Sequence, residues 1–145
     1  MGFFNGMDTA ASGLTAQRFR LDIISQNMAN ANTTRTEEGG PYKRQGVIFE
    51  QMDNKDIFSG ILDEKRKNGT NGVRVSRIVT DNTRGALVYD PAHPDADTEG
   101  YVEMPNVNIV DEMVNMISAS RAYEANVTSF NTMKSMFTKT LEIGK

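Results

Sequence analysis

Apolar and small residues recur through the first thirty positions in alternating steps of three and four. They are Met7, Ala10, Leu14, Leu21, Ile24, Met28 and Ala31, with Gln17 filling one polar gap. This heptad seam predicts an amphipathic helix from about Asp8 to Ala31, with Asp8 as the expected N-cap. Gly13 costs that helix roughly 1 kcal/mol relative to alanine, so a close neighbour is expected along its face. A longer seam occupies the C-terminal part: Ile109, Met113, Met116, Tyr123, Val127, Phe130, Phe137 and Leu141, with Ser120 and Lys134 as polar members. It predicts a second helix from about Asn106 to Ile143. Asn108 and Asp111 form a capping arrangement there, Pro105 stops the preceding chain, and Gly144 is the expected terminator.

Val110, Val114 and Ile117 flank the second seam, and Ala119, Ala122 and Ala125 are small enough for close helix approach. A stripe this wide suits at least two neighbours; the plainer alternative is a long helix lying across its own β segment. Between the helices, Tyr42 to Glu50 and Val73 to Val79 alternate as strands do, and Gly85 to Tyr89 reads as a third. Asn68 to Gly72 is a turn cluster. The expected fold class is mainly α with a small β insert, the two terminal helices pairing as an antiparallel coiled coil. The expected segments are an N-terminal helix (1–32), a hinge with a β-rich part and an acidic loop (33–105), and a C-terminal helix (106–145).

Composition sharpens this picture by what it removes. Of 145 residues only 38% are hydrophobic, which supplies a modest core. A net charge of −3 gives no general reason to expect nucleic acid, and Lys65-Arg66-Lys67 reads as a solvated loop. The chain has no cysteine, which removes disulfides and thiolate chemistry. The start, MGFFNGMDTAASGL, lacks the basic and apolar regions of a secretory signal, and no apolar run reaches the roughly 18 residues of a membrane span.

Candidate chemistry is sparse. From Asp90 to Glu112 there are seven acidic residues and no Lys or Arg. Asp95, Asp97, Glu99 and Gly100 match the start of a calcium-binding EF-hand loop, but Asn106 stands where its closing glutamate belongs. An acidic surface turn is the better reading. His93 is the single histidine, which excludes a histidine-rich metal cluster, and no G-x-S-x-G or phosphate-binding loop accompanies it. No catalytic, cofactor or metal site is expected, and no small-molecule substrate. Met113, Met116, Met133 and Met136 suit either core packing or an adaptable interface. Two seamed helices around a small β insert cannot bury both apolar faces alone, which points to assembly. A soluble adaptor or chaperone-like module, using the methionine-rich helix on transient partners, is the other class that fits.

Residues 6 to 45, GMDTAASGLTAQRFRLDIISQNMANANTTRTEEGGPYKRQ, carry an Ala-x-x-Gly-Leu helix, an Asn-x-Ala-Asn-x-x-Thr hinge, and Gly-Gly-Pro-Tyr before a basic pair. Residues 90 to 127 carry Asp-Pro-x-His-Pro-Asp, Gly-Tyr-Val, Pro-Asn-Val-Asn and Ser-Arg-Ala-Tyr-Glu-Ala-Asn. In these elements, which together span over half the chain, the sequence resembles the bacterial flagellar proximal rod family FlgC. The resemblance implies a non-catalytic subunit of the torque-transmitting rod, exported unfolded by the flagellar type III apparatus without a cleaved signal and residing in the periplasmic basal body. It implies partners among copies of itself and other rod proteins, with the MS-ring and export apparatus as further candidates. It also implies terminal helices that order on assembly.

The assembly interface is then expected on Leu14, Leu21, Ile24, Met28, Ile109, Met113, Met116, Ile117, Tyr123, Val127, Phe130 and Phe137. Asn27, Asn30, Asn32 and Thr33 are the expected hinge. The asparagines would bond backbone groups freed at the helix end and tolerate left-handed geometry, with Thr33 and Thr34 capping the turn. Arg35, Lys43 and Arg44 would meet acidic neighbours.

Overall fold

A computed structural model describes residues 3–37, 39–52 and 72–143. The turn cluster before Gly72, the basic tripeptide and Gly144 lie outside the described residues. Helix α1 spans Phe3–Ala29 and α2 spans Ile109–Ile143. Between them lie strands β1 (Gln45–Gln51), β2 (Val73–Thr80), β3 (Leu87–Tyr89) and β4 (Tyr101–Glu103). The architecture is mainly α with two small two-stranded sheets, β1–β2 and β3–β4.

Helix α1 begins five residues before the expected N-cap, so Asp8 sits inside it. The expected cap of α2 is present: Asn108 Oδ1 accepts the Val110 N–H at 3.0 Å, satisfying one of the donors a helix start leaves free. Strand β4 falls within the stretch read as an acidic turn. It is only three residues long and takes its order from β3, pairing Leu87 with Glu103, Val88 with Val102, and Tyr89 with Tyr101. Gly85 makes that pairing possible, because a Cβ there would run into the Met104 carbonyl oxygen.

The chain divides into two compact units, Met1–Phe19, Phe49–Ser76 and Ala119–Lys145 forming the first, and Arg20–Ile48 and Arg77–Ser118 the second. In the first, Ala10, Ala16 and Ala119 are buried. Gly6 lies against the Met133 sulfur, and a Cβ at Gly13 would sit 3.1 Å from the Asn126 amide. The neighbour expected at Gly13 is therefore there, and it is polar. Phe4 and Phe137 meet edge to face at 5.9 Å. Ser12 Oγ accepts the Val73 N–H at 3.1 Å, fastening the start of β2 to α1. In the second unit Ile23, Ile24, Ala31, Tyr42 and Val102 form the buried apolar core. Asn27 and Glu112 are buried among them, at 0% and 1% exposure.

Candidate assembly site

Two buried polar residues in so small a core need full hydrogen bonding, since an unmet buried group costs about 1–3 kcal/mol. Asn27 achieves it. Its Nδ2 donates to the Gln45 carbonyl at 2.8 Å and to Glu112 Oε2 at 3.0 Å. Its Oδ1 accepts the Tyr42 hydroxyl at 2.9 Å and the Gln45 N–H at 3.0 Å. All four bonding capacities of the amide are used. The side chain thus satisfies both backbone groups of Gln45, tying α1 to the first residue of β1 as a neighbouring strand would.

Glu112 is balanced by Arg44, whose Nε and Nη2 reach Oε1 at 2.9 and 2.8 Å. Burial, and secondarily the Glu112 charge, raises the Tyr42 hydroxyl above its usual pKa. Asn106 closes the arrangement from the other side. Its Oδ1 accepts the Arg44 N–H at 2.7 Å, while its Nδ2 donates to the carbonyls of Asp81 and Thr83. The Thr83 N–H and hydroxyl hold the Asp81 carboxyl below the usual range, with a smaller contribution from Arg44.

The residues expected at the hinge divide by the bonds they make. Asn30 Nδ2 donates back to the Gln26 carbonyl at 2.9 Å, and its Oδ1 accepts the Thr33 hydroxyl at 3.2 Å. The Tyr42 N–H donates to the Thr33 carbonyl, closing the loop that returns the chain toward β1. Asn32 is exposed. The left-handed backbone expected at the asparagines is absent: among the described residues only Gly39, Gly40 and Gly100 have positive φ. Glycine takes those positions because it has no Cβ to oppose a positive φ. Thr34 donates to Asp95 Oδ2 at 2.8 Å, and Arg35 lies 3.8 Å from the same carboxylate. Arg44 meets Glu112 as described, whereas Lys43 donates to the Asn82 amide oxygen and not to an acid.

The acidic turn is wired internally. Asp97 Oδ1 accepts the N–H groups of Glu99 and Tyr101, and His93 Nδ1 accepts the Asp95 N–H. Among the described residues no His, Asp or Glu side chains gather in threes suited to a metal ion, and no helix is long and apolar enough to cross a membrane.

The residues expected to form the interface fall into two groups. Ile24 is buried, while Leu14, Leu21, Met28, Met116, Tyr123, Val127 and Phe130 are partly covered. Ile109, Met113, Ile117 and Phe137 are exposed, as are the flanking Val110 and Val114. Besides the Phe4–Phe137 ring contact, a row of small and polar residues on α1, spaced by seven or its multiple, touches α2. In the first unit Gly6 meets Met133 and Gly13 meets Asn126. In the second, Asn27 meets Glu112. Hydropathy passes over this row; its signal is the recurrence of Gly and Asn on α1 at heptad spacing. Sequence reasoning placed Asn27 in the hinge and missed Glu112 as its partner.

These features, long terminal helices that meet at Gly6, Gly13 and Asn27 and an open apolar face along the first turns of α2, accompany matches to two families of flagellar rod proteins. Residues 7–35 match the family described as "Flagella basal body rod protein", and residues 98–143 match "Flagellar basal body rod FlgEFG protein C-terminal". The class is therefore that of the flagellar rod proteins. Full-length similarity narrows it. The chain is 52% identical to the flagellar basal-body rod protein FlgC of Borreliella burgdorferi, covering 99% of this chain and 98% of that one. It is 46% identical to FlgC of Bacillus subtilis and 41% identical to FlgC of Salmonella typhimurium, each over the whole of both chains. The chain belongs to the FlgC family.

Proposed function

We propose that the chain is a structural subunit of the flagellar basal-body proximal rod, assembling through its terminal helices with copies of itself and other rod proteins and performing no catalysis. Within each subunit the helices pair as an antiparallel coiled coil. That pairing is supported by the contacts of α1, whose partners recede along α2 from Phe137 and Met133 to Asn126 as α1 advances from Phe4 through Gly6 to Gly13.

The observation that carries the reading is the inverted distribution of side-chain size. Gly6, Gly13 and Asn27 face the subunit's own second helix, and Val110, Met113, Val114 and Ile117 face outward along the first turns of α2. Val114 is 61% exposed and Ile117 55%. Fully burying one such side chain contributes about 1.5–3 kcal/mol, so covering the exposed half of four of them contributes on the order of 4 kcal/mol per contact. A solitary protein gains nothing from that surface, and a rod subunit uses it against a neighbour. The subunit resides in the basal body, reached by type III export. Leu14, Leu21, Met28, Met116, Tyr123, Val127, Phe130 and Phe137 complete the helical interface, Ile24 being taken up by the subunit's own core, while Asn27, Asn30, Asn32 and Thr33 set the angle at which α1 hands over to β1.

Deletion of the gene in its host, with complementation, tests this reading. Loss of swimming and basal bodies lacking a completed rod are expected, restored by the intact gene. Normal rods in the deletion strain would overturn it.

A further inference from the structure

We infer that the outer face of the β3–β4 hairpin docks on a second copy of this chain, against the outer face of that copy's β1–β2 ribbon. The inference rests on the rod-subunit reading and specifies one contact within it. The register places Leu87, Tyr89 and Tyr101 on one face of the hairpin and Val88 and Val102 on the other. On that second face Val102 is buried at 2% against the fold, while Val88, toward the edge, is partly open. The outer face is open, with Leu87 64% and Tyr89 65% exposed.

That open face is built for contact. Tyr89 and Tyr101 meet edge to face at 5.2 Å. Gly100, at φ +82°, brings the backbone beneath them, where a Cβ would lie 3.0 Å from the Tyr89 ring. The aromatic pair is therefore held in place before binding, and little side-chain freedom is lost when a partner arrives.

Charge selects the partner. Asp97 and Glu99 rim the hairpin and Glu103 lies on its outer face beside Leu87, in a stretch from Asp90 to Glu112 without a single Lys or Arg. A matching surface must be apolar and cationic. The same unit carries one on the β1–β2 ribbon, where Arg77 and Val79 stand exposed on one face of β2 and Ile48 is exposed on the neighbouring strand. The two surfaces differ, so their contact is head-to-tail and extends from copy to copy instead of closing a symmetric pair. An extending contact is the kind a rod requires.

The cysteine-free sequence makes the test clean. Leu87→Cys and Val79→Cys variants would be co-expressed in a strain lacking the native gene, and basal bodies purified and oxidised. A covalent dimer is expected only when both variants are present. Arg77→Glu alone, or Glu99→Arg with Glu103→Arg alone, should lower its yield about tenfold, and the combined reversal should restore it. Basal bodies that contain both variants yet give no mixed dimer would overturn the docking proposal and leave the rod reading standing. So would a chain carrying both cysteines that closes on itself. If the unaltered chain were missing from basal bodies, the rod reading itself would fail, and this contact with it.

Discussion

Replacing Asn27 by aspartate changes an amide nitrogen into an oxygen and leaves the shape alone. In the native chain that nitrogen donates to two buried acceptors, the Gln45 carbonyl and Glu112 Oε2, the second at 3.0 Å. Asn27→Asp turns both bonds into oxygen–oxygen contacts. Two unit charges 3 Å apart repel by about 5–6 kcal/mol at an effective dielectric near 20. Arg44 offsets part of this, and proton uptake by the pair relieves more. With two donor bonds lost as well, a net cost of about 3–5 kcal/mol is expected at pH 7, large against the roughly 5–15 kcal/mol of an ordinary domain. Asn27→Ala loses the bonds without adding a charge and should cost about 3 kcal/mol.

The two variants separate by pH. In Asn27→Asp the folded pair keeps a proton that the unfolded chain releases near pH 4, so its folded pKa is raised. The contribution of that proton is present below about pH 4 and is lost as pH rises through the raised folded value. Relative to Asn27→Ala, the aspartate variant should therefore gain stability on acidification, as the protonated carboxyl regains a donor to Glu112. Urea denaturation followed by circular dichroism at pH 7 and pH 5 measures this. Equal destabilisation of the two variants at both pH values would refute the reasoning, as would losses below about 0.5 kcal/mol for both.

Two further substitutions probe the surroundings. Tyr42→Phe removes one donor to Asn27 and should cost about 1 kcal/mol at neutral pH. The raised Tyr42 pKa contributes stability below the usual phenol value that is lost as pH rises through the folded one, so the alkaline fall in stability should soften in this variant, read by melts between pH 8 and 11. Gly85→Ala drives a Cβ into the Met104 carbonyl and should cost about 2–4 kcal/mol, with loss of amide-exchange protection at Met104, whose N–H donates to Ala86.

The helices were legible in the sequence because each carries a long 3.6-residue pattern and α2 a genuine asparagine cap. The inner face of their pairing was not. Periodicity finds large apolar residues, and it passes over the contacts that Gly6, Gly13 and Asn27 make with α2 while Ile109, Val110 and Ile117 stay exposed. Strand β4 escaped notice because three residues set no alternation; β3 supplies its register. Asn27 was visible as unusual, but its bonds run to Glu112, 85 positions away, and no local pattern encodes such a pairing. Arg44 shows the opposite case, a basic residue next to a strand whose acidic partner could be anticipated in kind.

The central claim is that the outward apolar face of α2 belongs to neighbouring subunits and not to the subunit's own fold. Val114→Asp with Ile117→Asp tests it most directly, with the variant expressed in the deletion strain and its content in purified basal bodies measured beside a melt of the purified chain. The expected result is a melt within about 0.5 kcal/mol of the native chain, as for other exposed sites, and basal bodies that lack the subunit. A variant that enters the rod normally and supports swimming would contradict the claim.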